Sequence, residues 1–393
     1  MISSALLAEA NTATRGRRAV AAMFLVNGFI MGSWAPQIPF MLPRHGISEF
    51  VLGLLILLIG AGAIAAMAGT GWLIDRHGSR KIAVGFGAVA CASFAAVALA
   101  PTIPLVIPAL VLMGASIGSM DVAMNANAVE VERRLNRAVM SSSHGFWSLG
   151  GFVGGGAGGV LISSLGAGAH ALLAAGLALA ALLAAAPFLV TEAPHRGAHE
   201  EKPKYAWPRG GAILILGFMA LFSMIPEGAV LDWAALYLRK ELGADIAMSG
   251  FAFAFFSGAM ALMRFAGDGV RNRFGAAATM RYSGFIAAAG MLCGGLAPNA
   301  ALAIAAFALS GLGIANMVPI AFSAAGNQPG LSPGAGISLV TLMGYSGILV
   351  APSTIGFTAE HIGFRITYVA LALCLTGVAL LAGHVAAADR GAG

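Results

Sequence analysis

Gly71-Trp72-Leu73-Ile74-Asp75-Arg76-His77-Gly78 decides the reading of this chain, because it returns as Asp268-Gly269-Val270-Arg271-Asn272-Arg273-Phe274-Gly275. Counting back 25 residues from the last glycine of each stretch reaches Gly53 and Gly250. Seven residues further back stand Gly46 and Gly243. Every one of these pairs is displaced by 197 positions (78 to 275, 53 to 250, 46 to 243). Upstream, Trp34-Ala35 is matched by Trp233-Ala234 at an offset of 199. A repeat that spans half of a very apolar chain predicts two similar helical bundles in a membrane.

Composition supports that solvent. Of 393 residues, 59% are hydrophobic and 10% charged, against roughly 25% charged in ordinary soluble domains. A globule of this size in water has no interior large enough for so much apolar surface, so lipid is the expected surrounding. The 54 glycines suit membrane helices that approach closely. The formal charge of +6 does not form one basic face; it is spread over short connectors, which argues against a nucleic-acid partner. Cys91, Cys293 and Cys374 lie singly in apolar segments and suggest neither a metal site nor a disulfide framework.

Apolar runs of spanning length recur at about 20–43, 50–73, 80–100, 104–128, 144–165 and 169–190, then at about 211–238, 246–267, 276–297, 299–323, 335–357 and 366–387. This gives an all-α membrane protein of twelve transmembrane helices in two pseudo-symmetric six-helix bundles. The bundles occupy 1–190 and 211–393, joined by a polar linker over 191–210. The arginines at 15, 17 and 18 hold the N-terminus in the cytoplasm, and no cleavable leader is read there. The connectors then falling inside carry Arg76, Arg80, Lys81, Arg133, Arg134, Arg137, the linker bases, Arg271 and Arg273, while the opposite side has Arg44, Arg239, Lys240 and Arg365. This asymmetry, with an even helix number, places both termini in the cytoplasm of a bacterial-type inner membrane.

The loop Gly71-x-x-x-Asp75-Arg76-x-Gly78-x-Arg80-Lys81 between the second and third helices resembles the signature loop of the major facilitator superfamily. Its second-half copy is degraded: Asn272 stands where an acid is expected, Arg273 persists, and Arg264 and Asp268 lie one turn apart, close enough to pair. The resemblance covers the whole chain. It implies two six-helix bundles that work by alternating access, with Gly71, Asp75, Arg76, Gly78, Arg80, Arg264, Asp268 and Arg273 as gating-loop residues. Two departures weigh against a proton-coupled drug exporter of that superfamily: the fourth helix lacks an arginine, and the fifth, Gly150-Gly151-Phe152-Val153-Gly154-Gly155-Gly156, lacks a Gly-Pro element. The runs Asp121 to Asn125 and His144 to Gly151 are distantly similar to the fucose permeases and look like an uncharacterised bacterial subgroup.

Acids at membrane depth cost roughly 2.5–3.5 kcal/mol each on insertion scales and therefore mark function by default. Asp121 in the fourth helix shares a face with Asn125 at i+4, an arrangement suited to hydroxyl recognition. Glu227 sits between Pro226 and Gly228 in the seventh helix, where a disturbed helix gathers carbonyls beside a carboxylate. Asp232 lies about 140° further round the helix and joins the same cavity only if the helix breaks; an outer gate with Arg239 or Lys240 is its other reading. In the first helix Asn27, Trp34 and Gln37 share one broad face, an indole flanked by amides that suits a sugar or polyol, or simply helix packing. Asn316 and Tyr345 add polar groups in the tenth and eleventh helices. His144 reads as a helix-start or inner-gate contact, and Glu130 and Glu132 as surface ion pairs or loop latches.

With no Walker loop, metal-ligand cluster or nucleophile–base pair, neither an enzyme nor a cofactor is expected. The reading is a secondary transporter, monomeric in the bilayer, that moves a small polar, sugar-like solute bound between the halves. Protons couple through Asp121 and Glu227. Efflux of amphipathic compounds by proton antiport, or a non-transporting sensor of the same fold, are the alternatives.

Overall fold

The computed structural model describes residues 2–135, 139–191, 211–328 and 333–391. Arg137, nearly all of the linker and the side chain of Asp268 lie outside the described residues. In lipid each backbone N–H and C=O must find a partner within its own segment, which leaves the helix as the element for such apolar runs. The chain is almost wholly helical. In the first half α1 is Ile2–Trp34, α2 Ile38–His45, α3 Glu49–His77, α4 Ser79–Leu99, α5 Ile103–Leu135, α6 Met140–Leu165 and α7 Ala167–Ala185. In the second, α8 is Gly211–Glu241, α9 Ile246–Phe274, α10 Ala276–Gly295, α11 Ala300–Ile314, α12 Met317–Gly326, α13 Pro333–Ile362 and α14 Phe364–Leu380.

Two pairs of these helices are single passes interrupted once. A 3-10 turn over Ala35–Gln37, with Pro36 in it, joins α1 to α2. A turn at Ala315–Asn316 separates α11 from α12. Eleven stretches among the described residues are long and apolar enough to cross a bilayer. The twelfth pass is α10, whose 20 residues span roughly 30 Å. The fold is thus two six-helix bundles of twelve passes. The break that would bring Asp232 round to Glu227 does not occur: α8 runs unbroken through Pro226. Proline deletes one N–H and crowds one carbonyl, a local loss that the rest of a 31-residue helix tolerates.

The chain divides into two compact units, residues 1–46 with 58–198, and residues 47–57 with 199–393. Within the first, α1 packs on α6, and α4 on α5 and α7. Within the second, α8 packs on α13, and α10 on α11 and α14, the same pairings one repeat later.

Backbone geometry carries the repeat further than the sequence did. Among the described residues the glycines at positive φ are Gly46, Gly78, Gly166, Gly243, Gly275 and Gly363. They form three pairs, each 197 apart (46 and 243, 78 and 275, 166 and 363), with φ of 63 and 64°, 83 and 77°, and 84 and 87°. Only glycine enters this region without strain. Close approaches repeat as well. A Cβ on Gly114 would lie 1.9 Å from the carbonyl oxygen of Ile59, and one on Gly311, 197 positions on, 2.2 Å from that of Phe256. The glycine-rich α6 lies backbone to backbone on α1: a Cβ on Gly150 would come within 2.1 Å of the Leu25 oxygen. One on Gly28 would come within 1.9 Å of the Trp147 oxygen. Small residues are how helices associate where lipid competes equally for apolar side chains.

Candidate functional site

In the first unit Asn27 ties three helices together. Its Oδ1 accepts from the Trp147 indole N–H of α6 at 2.9 Å, and its Nδ2 donates to the Ile117 carbonyl of α5 at 3.4 Å. Asp121 is one turn beyond Ile117 on α5 and half-buried, as is Asn125, whose amide donates to the Asp121 carbonyl at 2.9 Å. Asn27, Trp147, Asp121 and Asn125 therefore belong to one neighbourhood, the meeting of α1, α5 and α6. The neighbouring amide Asn127 turns away to donate to Ser79 and to the Val190 carbonyl, a packing role.

Trp34 and Gln37 stand elsewhere. Both are buried at the far end of the first pass, where Gln37 Nε2 bonds the Ala167 carbonyl and His170 Nδ1 of α7, each at 2.8 Å. They line a cavity of about 200 Å³ with Phe40, Met41 and Arg44, among others. Trp34 stands two helical turns beyond Asn27 at the end of α1 and Gln37 lies in the 3-10 turn that follows, so the stripe read along helix one is divided between two places along the pass. His170, buried against the edge of Phe94, was not singled out from sequence, since a lone histidine in an apolar run gives no signal of its partner.

The contacts of the loop residues stay within their own units. Gly78 takes the left-handed turn, the Arg76 guanidinium lies 5.4 Å from the Trp72 ring centre, and Arg80 donates to the Thr191 hydroxyl. Asp75 and Gly71 are exposed. In the second copy Gly275 turns, Arg273 lies 5.5 Å from the Phe274 ring centre, and Arg271 donates to Ser323 and to the Ala388 carbonyl. Glu130, largely buried, pairs with Arg133 and Arg134 on its own helix. Glu132 latches the following loop: it accepts from the backbone N–H groups of Val139 and Met140 and so caps α6. His144 packs edge-on against Phe24.

The second unit holds an ion pair within the spanning segments. Glu227 is sixteen residues from the start of α8 and fourteen from its end. Its Oε2 stands 3.7 Å from Nη2 of Arg264 on α9, and the two side chains are 22% and 16% exposed. Arg264 thus has an interhelical partner on α8, while the i+4 pairing with Asp268 falls on a side chain outside the described residues. Three residues along α9 from Arg264, Gly267 makes room for Asn316: a Cβ there would be 2.2 Å from the Asn316 Oδ1. The Asn316 Nδ2 is buried without a hydrogen-bond partner. The turn between α11 and α12 is what points this amide at α9. Tyr345 on α13 is half-buried.

Asp232, 8% exposed, lies on the other side of the unbroken α8. There Trp233, Tyr237, Phe364 and Tyr368 form an aromatic cluster. Their hydroxyls are spent on backbone: Tyr237 donates to the Gly294 carbonyl and Tyr368 to that of Ala229. Of the phenylalanines on α9, Phe253 and Phe256 stack inside the unit and Phe255 is exposed. The first turns of α3 also belong to this unit: Glu49 pairs with Lys240, and the Phe50 N–H donates to Glu360 at 3.0 Å. Gly53 and Gly356 let α3 and α13 touch there.

Two repeated bundles of apolar helices with polar clusters held inside define a multi-pass membrane transporter. Residues 20–352 match the family model described as Major Facilitator Superfamily, and the chain belongs to that family. It is 36% identical to an uncharacterised MFS-type transporter of Yersinia pestis over 91% of this chain and 92% of that one. It is likewise 36% identical to an uncharacterised transporter of Sinorhizobium fredii, over 93% and 97%. Against the membrane protein MosC of Rhizobium meliloti identity is 31%, over 88% and 84%. Among solved structures, a D-xylose-proton symporter superposes with a TM-score of 0.74 at 14% identity, covering 94% of this chain and 97% of that one. The nucleoside transporter NupG gives 0.70 at 12% identity, over 94% and 98%. These two share the fold. The chain is a transporter of this superfamily and not an enzyme.

Proposed function

We propose that the chain carries a small, sugar-like polar solute across a bacterial inner membrane by alternating access, with a proton moving alongside it. The observation that carries this reading is the Glu227–Arg264 pair inside the spanning helices of the second unit. Charge at that depth has a high insertion cost and persists where it works on a passenger or a proton. Asp121 offers a second carboxyl, beside Asn125 and one turn from the Asn27–Trp147 brace. A proton crossing a 100 mV potential supplies about 2.3 kcal/mol, enough to drive accumulation some fifty-fold. The named substrates of the two fold neighbours, a pentose and nucleosides, are hydroxylated solutes of the same kind. The basic connectors favour both termini in the cytoplasm.

The test uses purified chain in proteoliposomes, a panel of labelled sugars, polyols and nucleosides, and an imposed proton gradient. The parent should accumulate at least one solute. Asp121→Asn and Glu227→Gln should each reduce that accumulation ten-fold or more. No accumulation of any panel member by the parent defeats the sugar-like reading. Parental accumulation by both variants defeats the coupling assignment.

A further inference from the structure

The second copy of the loop motif has Asn272 in place of the acid, and beside it Arg271 stands where the first copy has Ile74. This arginine is committed to the C-terminal segment. Its Nη2 donates to the Ala388 carbonyl at 2.8 Å and to the Ser323 hydroxyl of α12 at 2.9 Å. The repeat singles out that carbonyl. Counting back 197 positions from Ala388 reaches Thr191, whose carbonyl accepts from Arg134 at 3.0 Å in the first unit. Each sixth pass therefore leaves its bundle through a segment tied by an arginine at the same point of the repeat. The arginine comes from α5 in the first unit and from α9 in the second.

The C-terminal segment has an unusual form. Residues Leu381–Gly391 follow α14 as a 3-10 helix of 11 residues, where such helices seldom run past about four. The sequence Ala386-Ala387-Ala388 by itself favours the α form. Packing overrides it: Ala382, Val385 and Ala388 are all buried, at the three-residue spacing of a 3-10 face. An α-helix would turn Ala388 about 120° away from Ala382. The segment packs on α10 and α12. Relaxing it to α would also shorten it by about 5 Å and draw Ala388 away from Arg271. Its neighbour α12 is in need of such a support. It has 10 residues, too few for an isolated helix to hold, and the Ala315–Asn316 turn cuts it off from α11.

We propose that residues 381–388 are a strap, held in the longer 3-10 form by Arg271, that restrains α12. When Arg271 lets go, the strap recoils towards the α form and α12 is free to swing about the Ala315–Asn316 turn. One nitrogen of Arg271 serves both parts, since it holds the strap at Ala388 and α12 at Ser323. The strap goes beyond the solute reading and stands whichever molecule is carried.

The experiment is hydrogen–deuterium exchange on the purified full chain, read over α11, α12 and the 3-10 segment, with melting followed alongside. Arg271→Gln should speed exchange about ten-fold in both the strap and α12 and leave α11 as in the parent. Ser323→Ala cuts only the tie to α12, so α12 should loosen while the strap keeps its parental protection. An Arg271→Gln chain whose strap and α12 both exchange like the parent overturns the proposal. So does one whose strap loosens while α12 does not, because the strap then restrains nothing. A rise shared equally by α11 marks ordinary loss of packing and overturns it as well. If Arg271→Gln shows no melting transition, Ser323→Ala decides the matter, and parental exchange in its α12 defeats the strap.

Discussion

At the scale of single residues, polar side chains inside this molecule are committed to partners on other helices. Asn27 is used up: its amide serves both Trp147 and Ile117. Glu227 and Arg264 are held at 3.7 Å. Removing one member of a partly buried pair strands the other, a loss of up to about 3 kcal/mol, whereas removing both is far milder. Arg264→Gln should therefore melt at lower temperature than Glu227→Gln/Arg264→Gln in the same detergent. Equal melting of the two would show that the charges do not feel each other. Glu227 was legible as a candidate because an acid in a long apolar run stands out. Its partner was not, because Glu227 and Arg264 lie on neighbouring helices and no spacing rule links them. The local rule offered Asp268, which helical periodicity does place near Arg264.

At the scale of elements, glycine position separates tolerance from damage. The sequence has 54 glycines and nothing in it ranks them. In the structure, Gly150 and Gly28 lie where α6 and α1 touch through their backbones, while a Cβ at Gly71 or Gly228 would meet nothing within 4 Å. Gly150→Ala forces two helices apart and should destabilise by about 1–3 kcal/mol or prevent folding. Gly71→Ala should be neutral or stabilise by up to about 1 kcal/mol, since alanine is the better helix former. Melting of the two variants in parallel checks this, and a Gly150→Ala protein as stable as Gly71→Ala would contradict the packing. The helix breaks show the same division. Pro226 left a break in α8 open, and the helix runs through it. The interruptions that matter lie at Ala35–Gln37 and Ala315–Asn316. Proline alone does not decide whether a helix yields, because neighbours that hold both sides in place outweigh one missing hydrogen bond.

At the scale of the whole molecule, the repeat is the organising fact. Gly166 and Gly363 sit 197 positions apart at φ of 84 and 87°. With ψ of 160° at both, an L side chain there costs on the order of 1–3 kcal/mol. Gly166→Ala and Gly363→Ala should therefore lower stability by similar amounts, and together by their sum to within about 0.5 kcal/mol. Denaturation of the single and double variants reads this out, and a strongly unequal pair would mean that the halves are not equivalent at this turn. The sequence by itself determined that the chain lives in a membrane, that it is two bundles of six helices, and which superfamily it resembles. These follow from apolar length, charge placement and a repeated loop, all properties of segments taken one at a time. Only the tertiary structure decided that Asn27 parts company with Trp34 and Gln37, that Arg264 meets Glu227, and which glycines bear the packing. Those facts depend on which faces of different helices meet. In lipid that choice is made by close backbone approach and by buried polar partners, and these become visible only when the helices are assembled.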